Sequence, residues 1–353
     1  MFALTLSPSQ LVSSAFLIQL VEQGLARFSL SGNVLKADSV LLETAQDKSN
    51  DSDFPLEPYE QNLLVFTEGL NLQSLHKVAG CLSSCIKVQY WQAVRVEGVQ
   101  GFAVVGKVNM LSSAEEVKPQ LETAANRFSL ELCLFAQVPT LSESGLLLMD
   151  MDSTVIACEC IDDIATLASV GQEVSAVTAL AMQGKLDFAQ SLRTRVACLA
   201  NADEAILQTV RDGLPLMPGA ANLVRLLKQH HWKVAIASGG FTYFADYLAE
   251  RLELDAAVAN KLEIVDGKLT GKVAGDIVDA QVKAQTLLGL AKKWSIPHSQ
   301  TIAMGDGAND LLMMSAAALG VALHAKPIVR EQADVSIRRG GLDALLWILA
   351  AQE

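Results

Sequence analysis

Long apolar runs are absent from this sequence. Of its 353 residues 51% are hydrophobic, but no uninterrupted apolar stretch approaches the ~18 residues needed to span a membrane. The beginning of the chain also lacks a basic stretch before an apolar core, so it does not predict a secretory signal. We therefore expect a cytoplasmic protein with no membrane partner. The length suggests about two or three domains.

The sequence contains few cysteines, and its basic residues are outnumbered by acidic ones. The six cysteines include the spacings Cys81-x3-Cys85 and Cys158-x-Cys160, but neither is followed by a second pair at the spacing of zinc ligands. Free, mostly buried thiols are the expectation. The net charge of −12 argues against nucleic acid as the main partner. It does not exclude a small anionic substrate, because such a molecule meets only the local field.

Two aspartates directly follow a short apolar stretch. The run from Gly145 to Met149 is typical of a strand that is buried on both faces of a parallel sheet, and Asp150 and Asp152 come next. If the chain is still extended there, their spacing puts both carboxylates on one side. A lone aspartate here would be interpreted as a helix cap. The pattern Asp-x-Asp-Ser-Thr instead favours a metal site, or a nucleophile beside an acid–base group.

Two later apolar strands also end in polar residues. The strand predicted over 233–237 ends at Ser238-Gly-Gly-Phe, and the strand predicted over 301–304 ends at Gly-Asp306-Gly-Ala-Asn-Asp. A helix predicted over 280–294 carries Lys283 in its first turn. The carboxyl ends of parallel strands face one edge of a sheet, where ligands bind. We therefore expect these motifs to converge in space.

The converging residues suit a hard cation and a phosphate group. Carboxylate oxygens at strand ends favour Mg²⁺. The predicted metal ligands are Asp150, Asp152, Asp306 and Asp310. Lys283 together with the cation would offset the negative charge, and Ser238 and the amides of Gly239 and Gly240 can donate to phosphate oxygens. Asn309 offers a neutral donor beside the metal.

These motifs resemble the four motifs of the haloacid dehalogenase superfamily, which consists mostly of phosphatases, in order and in type. Residues from about 145 to 340 resemble its phosphoserine phosphatase branch more closely. The resemblance implies a Rossmann-like parallel-sheet core over 145–353, with a small helical cap inserted at about 157–215. It also implies substrate-binding roles for cap residues. These are Glu159, Met182, Phe188 and Arg195.

The resemblance implies a mechanism as well. Asp150 would attack phosphorus to give an aspartyl phosphate, and Asp152 would protonate the leaving serine oxygen and later take a proton from water. Mg²⁺, Lys283 and Ser238 would hold the phosphoryl oxygens. Glu159 would meet the ammonium group of phosphoserine and Arg195 its carboxylate, while the cap closes over the site.

Other functions compete with this interpretation. A phosphatase for another small phosphomonoester, such as phosphohomoserine, differs only through Glu159, Arg195 and the shape of the pocket. The chain could also be an amino-acid-binding regulator with a decayed catalytic domain, but the intact catalytic set argues against that. Dehalogenases need no second acidic residue at Asp152. Transport ATPases of this superfamily need membrane spans.

The region before the catalytic motifs gives a weaker signal. Residues 1–60 receive no function, although 9–25 could form one helix and 46–58 is turn-rich. Residues 61–138 predict the order β-α-β-β-α-β, which is ferredoxin-like and resembles an ACT domain, a module that often binds amino acids and pairs with a second copy. An amino-acid sensor and a structural or dimerising domain both remain open, and a homodimer through this domain is possible. Pro119 should kink or delay the second helix.

Overall fold

The chain forms two compact units in this computed structural model, which describes residues 2–37, 59–182 and 185–352. The first unit contains the described residues up to Val138 and also the final segment from Ala344. The second unit spans Pro139–Asp343. The sequence boundary of 145–353 grouped the last helix with the catalytic core, whereas the structure groups it with the first unit.

A single antiparallel sheet organises the first unit. Its strands are β1 (Phe2–Thr5), β2 (Arg27–Ser31), β3 (Val34–Ala37), β4 (Gln61–Phe66), β5 (Ile86–Val94), β6 (Ala103–Met110) and β7 (Glu131–Phe135). Its helices are α1 (Pro8–Val12), α2 (Ser14–Glu22), α3 (Leu72–Cys81), α4 (Ala114–Phe128) and α14 (Ala344–Ala350). The described strands pair in the order β1-β3-β2-β5-β6-β4-β7. From β4 to β7 the elements follow the predicted order β-α-β-β-α-β.

Two local predictions for the first unit were wrong. The segment 9–25 is not one helix, because Ser13 is extended and its side chain caps α2 by accepting from the amide of Phe16 (3.1 Å). Pro119 lies inside α4 and does not delay it, because reciprocal hydrogen bonds between Ser113 and Glu116 fix the start of the helix before the proline; a kink at Pro119 stays a prediction. The predicted loop over 46–58 lies outside the described residues.

The last helix is held by apolar and polar contacts within the first unit. Its buried side chains are Ala344, Leu345, Leu346, Ile348 and Leu349. The ring of Trp347 lies 5.2 Å from that of Phe66, and Lys107 Nζ donates to the carbonyl of Ala351 (2.9 Å) and to Asn62 Oδ1 (2.7 Å). Burial lowers the pKa of Lys107 to about 8. The apolar face of α14 therefore depends on the first unit for its cover.

A mostly parallel sheet organises the second unit. Its strands are β8 (Leu146–Met149), β9 (Lys233–Phe241), β10 (Ala256–Val265), β11 (Lys268–Ala274), β12 (Thr301–Gly305), β13 (Leu319–Leu323) and β14 (Val335–Ile337). The described strands pair in the order β11-β10-β9-β8-β12-β13-β14, and only β11 is antiparallel to its neighbour. All four residues of β8 are completely buried, as expected for a central parallel strand. The predicted parallel-sheet core is confirmed.

Nine helices described in the second unit connect its strands, and four of them form the insertion after β8. They are α5 (Cys160–Leu167), α6 (Gly171–Met182), α7 (Phe188–Cys198), α8 (Ala205–Asp212), α9 (Ala220–Gln229), α10 (Thr242–Arg251), α11 (Ala280–Lys293), α12 (Leu311–Ala316) and α13 (Pro327–Gln332). The insertion comprises α5 to α8. Its two linkers run side by side, since the amide of Ala157 donates to Pro215 O and that of Met217 to Val155 O, both at 2.9 Å. The helical insertion thus leaves and rejoins the core at one place.

The hairpin of β10 and β11 contacts this insertion between α7 and α8. Val265 pairs with Lys268, and the two residues between them, Asp266 and Gly267, have positive φ angles of 50° and 72°, as is typical of a two-residue Asp-Gly hairpin turn. The amide of Asn201 donates to Leu269 O (2.8 Å), and the amide of Leu269 donates to Ala202 O (2.9 Å). Backbone hydrogen bonds therefore tie the insertion to the sheet at a second place.

In the part of the chain that the structure describes, no helix is both long and apolar enough to cross a membrane.

Candidate active site

The carboxyl ends of three adjacent strands meet at one cleft. The order β9-β8-β12 brings Ser238, Asp150 and Asp306 to the same edge of the sheet, as the sequence predicted. The cleft has a volume of about 230 Å³. Its lining residues are Asp150, Asp152, Glu159, Ile161, Phe188, Leu192, Arg195, Ser238, Gly239, Gly240, Phe241, Asp306 and Asn309. Side chains from the core and from the helical insertion therefore share one cleft.

A buried lysine joins two of the carboxylates. Lys283 is fully buried, and its Nζ lies 2.8 Å from Asp150 Oδ1 and 2.7 Å from Asp310 Oδ1. Burial alone would lower the pKa of Lys283, but the carboxylates of Asp150 and Asp310 outweigh it and raise that pKa. The lysine therefore remains a cation beside the predicted nucleophile.

Three carboxylates are crowded beside this lysine. Asp150, Asp306 and Asp310 each offer an oxygen, and these oxygens lie within 4.8 Å of one another. Burial, with repulsion from the other carboxylates, raises the pKa of Asp306 to about 7 and that of Asp310 to about 6. An all-oxygen group of carboxylates in this position suits a hard divalent cation, which would relieve the repulsion.

Asp152 lies outside that group. Its Oδ1 accepts a hydrogen bond from the amide of Cys160 (3.1 Å), at the start of α5. Burial, followed by repulsion from Glu159 and Asp150, raises the pKa of Asp152 to about 7. A carboxyl group with this pKa can both donate and accept a proton near neutrality. The structure thus brings three of the four predicted ligands together, and a metal contact by Asp152 stays a prediction.

Two glycines near the carboxyl end of β9, Gly239 and Gly240, have no room for side chains. A Cβ atom at Gly239 would lie 2.6 Å from Phe188 Cζ, and one at Gly240 would lie 2.6 Å from Asp152 Oδ2. The amide of Gly240 donates to Ser238 Oγ (2.9 Å), and donation to phosphate oxygens by the amides of Gly239 and Gly240 stays a prediction. Because its oxygen already accepts this bond, the Ser238 hydroxyl keeps its own proton for a ligand.

The two charged residues predicted to recognise the substrate line the same cleft. Glu159 immediately precedes α5, and its Oε1 accepts from Ser153 Oγ (2.7 Å). Partial burial of its carboxyl group raises the pKa of Glu159, while the bond from Ser153 opposes this shift. Arg195 lies on α7, and its buried Nε has no hydrogen-bond partner among the described residues. Arg195 therefore has a donor to offer.

Other predicted site residues have different outcomes. Phe188 packs against Gly239, and Asn309 lines the cleft with its Oδ1 against Gly307. Met182 ends α6, but its side chain lies outside the described residues. The roles of all these residues stay predictions.

Sequence reasoning missed two residues that support the site. Thr154 is fully buried, and its hydroxyl donates to Asp306 Oδ1 (3.3 Å). Asn260 is buried on β10, and its side-chain amide donates to Gly239 O (2.9 Å). Thr154 stood within the first motif without an assigned role. A polar residue directly after the short apolar run 256–259 was the only signal for Asn260.

Comparison with known proteins agrees with this geometry. A model of the haloacid dehalogenase-like hydrolases matches residues 145–318. The chain is 53% identical to the phosphoserine phosphatase of Vibrio cholerae serotype O1 over 247 residues, which cover 70% of this chain and 75% of that protein.

Two solved structures also resemble this one. The unliganded form of a probable phosphoserine phosphatase from Vibrio cholerae has a TM-score of 0.71 at 45% identity, covering 83% of this chain and 87% of that chain. A phospho-aspartyl intermediate analogue of a phosphoserine phosphatase has a TM-score of 0.56 at 40% identity, covering 59% of this chain and 99% of that chain.

The parallel core, its helical insertion and the matching family model define the class: the chain belongs to the haloacid dehalogenase-like hydrolases. Within that class, the relative and the two structures described above carry the name phosphoserine phosphatase.

Proposed function

We propose that this protein hydrolyses O-phospho-L-serine to L-serine and phosphate, the last step of serine biosynthesis. The observation that carries the proposal is that Asp150, with the buried Lys283 against it, and Asp152 lie at one cleft that Glu159 and Arg195 also line. The first three residues supply the chemistry of phosphoryl transfer. The last two offer opposite charges to an amino acid.

The reaction proceeds through two displacements at phosphorus. A carboxylate oxygen of Asp150 attacks phosphorus while the bond from phosphorus to the serine oxygen breaks, and Asp152 gives its proton to that oxygen. Water then attacks the aspartyl phosphate, Asp152 takes the proton back, and the bond between phosphorus and Asp150 breaks to release phosphate. The raised pKa of Asp152, about 7, fits both proton transfers.

We assign Mg²⁺ to Asp150, Asp306 and Asp310, because their oxygens are close and their negative charge is only partly offset by Lys283. When bound, Mg²⁺ supplies positive charge that draws electron density from the phosphoryl oxygens. Lys283 holds a second positive charge beside Asp150, and the Ser238 hydroxyl can donate to a phosphoryl oxygen.

Specificity for the amino-acid part is assigned to the insertion. Glu159 would pair with the substrate ammonium and Arg195 with its carboxylate, for which the unpartnered Nε of Arg195 is available. Phosphohomoserine, the alternative substrate, carries the same two charges but one more methylene. A panel of phosphomonoesters assayed side by side separates the two, since the preferred ester will have the highest kcat/KM.

The first prediction tests the assignment of Arg195. Arg195→Ala leaves a substrate charge desolvated and unpaired, a cost of roughly 2–5 kcal/mol. The variant should therefore lose about 30- to 5,000-fold in kcat/KM for phosphoserine. An aryl phosphate without amino-acid charges should be hydrolysed almost as well as by the wild type. Steady-state kinetics on both substrates measure the difference.

A matched control is available on the same helix. Arg193 is exposed on α7, two positions away, so Arg193→Ala should change neither substrate's kcat/KM appreciably. Equal losses on both substrates in Arg195→Ala would instead assign Arg195 to phosphate binding or to stability. Phosphoserine would then lose its main support.

We further propose that residues 61–138 form an ACT-like regulatory or dimerising domain that could support a homodimer. The β-α-β-β-α-β order of β4 to β7 supports this, and β2 extends the same sheet by pairing with β5. The absence of disulfides among the six cysteines supports a cytoplasmic location.

The second prediction concerns the division of the chain into two units. A shortened chain of residues 140–343 should fold and hydrolyse phosphoserine, because every assigned catalytic residue lies within it. A chain of 140–353 should be less soluble, because it keeps the apolar helix α14 without the first unit that covers it. Solubility, circular dichroism and activity of the two chains provide the comparison. A folded but inactive 140–343 chain would show that the first unit contributes to catalysis.

A further inference from the structure

Asn260 joins two backbone segments that are far apart in the sequence. The residue is 1% exposed on β10. Its Nδ2 donates to Gly239 O (2.9 Å), and its Oδ1 accepts from the amide of Val278 (2.8 Å). The nitrogen and the oxygen of the side-chain amide are therefore both hydrogen-bonded to backbone. One of the two backbone segments contains Ser238, and the other precedes the helix that carries Lys283.

The first segment is the phosphate-binding loop, defined as Ser238 to Gly240. Strand β9 leaves its regular pairing with β10 here: Val258 pairs with Ala237, whereas Asn260 pairs with Phe241. Two steps along β10 thus correspond to four along β9, so the loop bulges from the sheet and loses regular ladder bonds. The Asn260 amide supplies a donor to the loop at Gly239.

The second segment leads into the helix that carries Lys283. Val278 precedes Asp279, whose side chain caps α11 by accepting from the amide of Val282 (2.9 Å). Lys283 follows in the first turn, and its ammonium group lies against Asp150. The position of Val278 therefore influences where α11 begins, and with it the position of Lys283 relative to Asp150.

We infer that Asn260 is a positioning residue that fixes the phosphate-binding loop and the Lys283 helix relative to each other. This inference rests on the proposed phosphatase function. Ser238 and Lys283 are both assigned to the phosphoryl group in the proposed function, so Asn260 should affect phosphomonoesters in general rather than the serine part alone. A displacement of the loop by about 1 Å is expected to cost about 100-fold in rate.

Two substitutions separate the two hydrogen bonds. Asn260→Leu removes both bonds at similar volume, whereas Asn260→Asp keeps an acceptor for Val278 and loses the donor to Gly239. Each variant should lose about 100-fold in kcat/KM, equally for phosphoserine and for an aryl phosphate. The inhibition constant of inorganic phosphate should rise about tenfold, because the loop that binds it has moved. The aryl phosphate reports on Asn260 even if phosphoserine proves not to be the substrate.

The matched control is Asn62 in the first unit. It is equally buried, its Nδ2 donates to Ala136 O (3.1 Å) and its Oδ1 accepts from Lys107 (2.7 Å). Asn62→Leu should lower the melting temperature but leave kcat/KM and phosphate inhibition unchanged. The positioning role is overturned if Asn260→Asp behaves as wild type. It is also overturned if the Asn260 variants fail to fold while the Asn62 variant folds, because Asn260 would then be purely structural.

Discussion

Asp150→Asn is expected to lower kcat for phosphoserine by roughly 10⁴-fold or more, because an amide does not replace the nucleophilic carboxylate. The protein should remain folded. The amide oxygen can still accept from the Met151 N–H, which now donates to Asp150 Oδ1 at 2.8 Å, and Lys283 keeps Asp310 as a partner. The repulsion that Asp150 exerts on Asp306 would also be relieved. Single-turnover kinetics and thermal melting measure the two outcomes.

Asp255→Asn is the matched control, since it makes the same chemical change away from the cleft. Asp255 accepts from Lys228 (2.9 Å), Lys233 (2.8 Å) and the amide of Val234 (3.0 Å), where β9 begins. Burial opposes ionisation, but these donors prevail and lower the pKa of Asp255. Its contribution to stability is therefore present at neutral pH and is lost as the pH falls through that lowered pKa.

The two variants should thus behave in opposite ways. Asp255→Asn should melt at a lower temperature at neutral pH and keep its kcat, whereas Asp150→Asn should keep its melting temperature and lose its kcat. Near wild-type turnover by a folded Asp150→Asn protein would remove Asp150 as the nucleophile. Loss of turnover in both variants would mean that the rate depends on general stability.

The active-site residues at the carboxyl ends of β8, β9 and β12 were predictable, because the sequence patterns that identify these strands are local. Continuous apolar runs identify β8, β9 and β12, and parallel strands necessarily bring their carboxyl ends to one edge. From that point, the convergence of Asp150, Ser238 and Asp306 needs no further information. The residue types then indicate an oxygen-rich site for a cation and a phosphate.

Features that depend on tertiary packing were not predictable in the same way. The apolar pattern of α14 indicates a buried helix but not which unit covers it. The break at Ser13 depends on a capping bond that competes with helix continuation. Asn260 acts because β9 and β10 change register beside it, and a change of register between two paired strands leaves no pattern in the sequence of either strand alone.

Removing the metal should have an effect as large as removing the nucleophile. The oxygens of Asp150, Asp306 and Asp310 lie within 4.8 Å of one another, and Lys283 supplies only one positive charge. Excess chelator should therefore abolish hydrolysis, and added Mg²⁺ should restore it. Ca²⁺ should restore little, because its larger and looser coordination shell holds ligands at longer distances and would misplace Asp150.

A second readout of the metal does not depend on catalysis. A cation that binds only the folded protein raises its free energy of unfolding by about 2.7 kcal/mol at a concentration 100-fold above its Kd. Mg²⁺ should therefore raise the melting temperature of the wild type and of Asp255→Asn, and should raise that of Asp306→Asn much less. Full activity in excess chelator would remove Mg²⁺ from the proposal. If Mg²⁺ raised the melting temperature of Asp306→Asn as much as that of the wild type, the Asp306 carboxylate would make no difference to binding. The cation would then bind at another site.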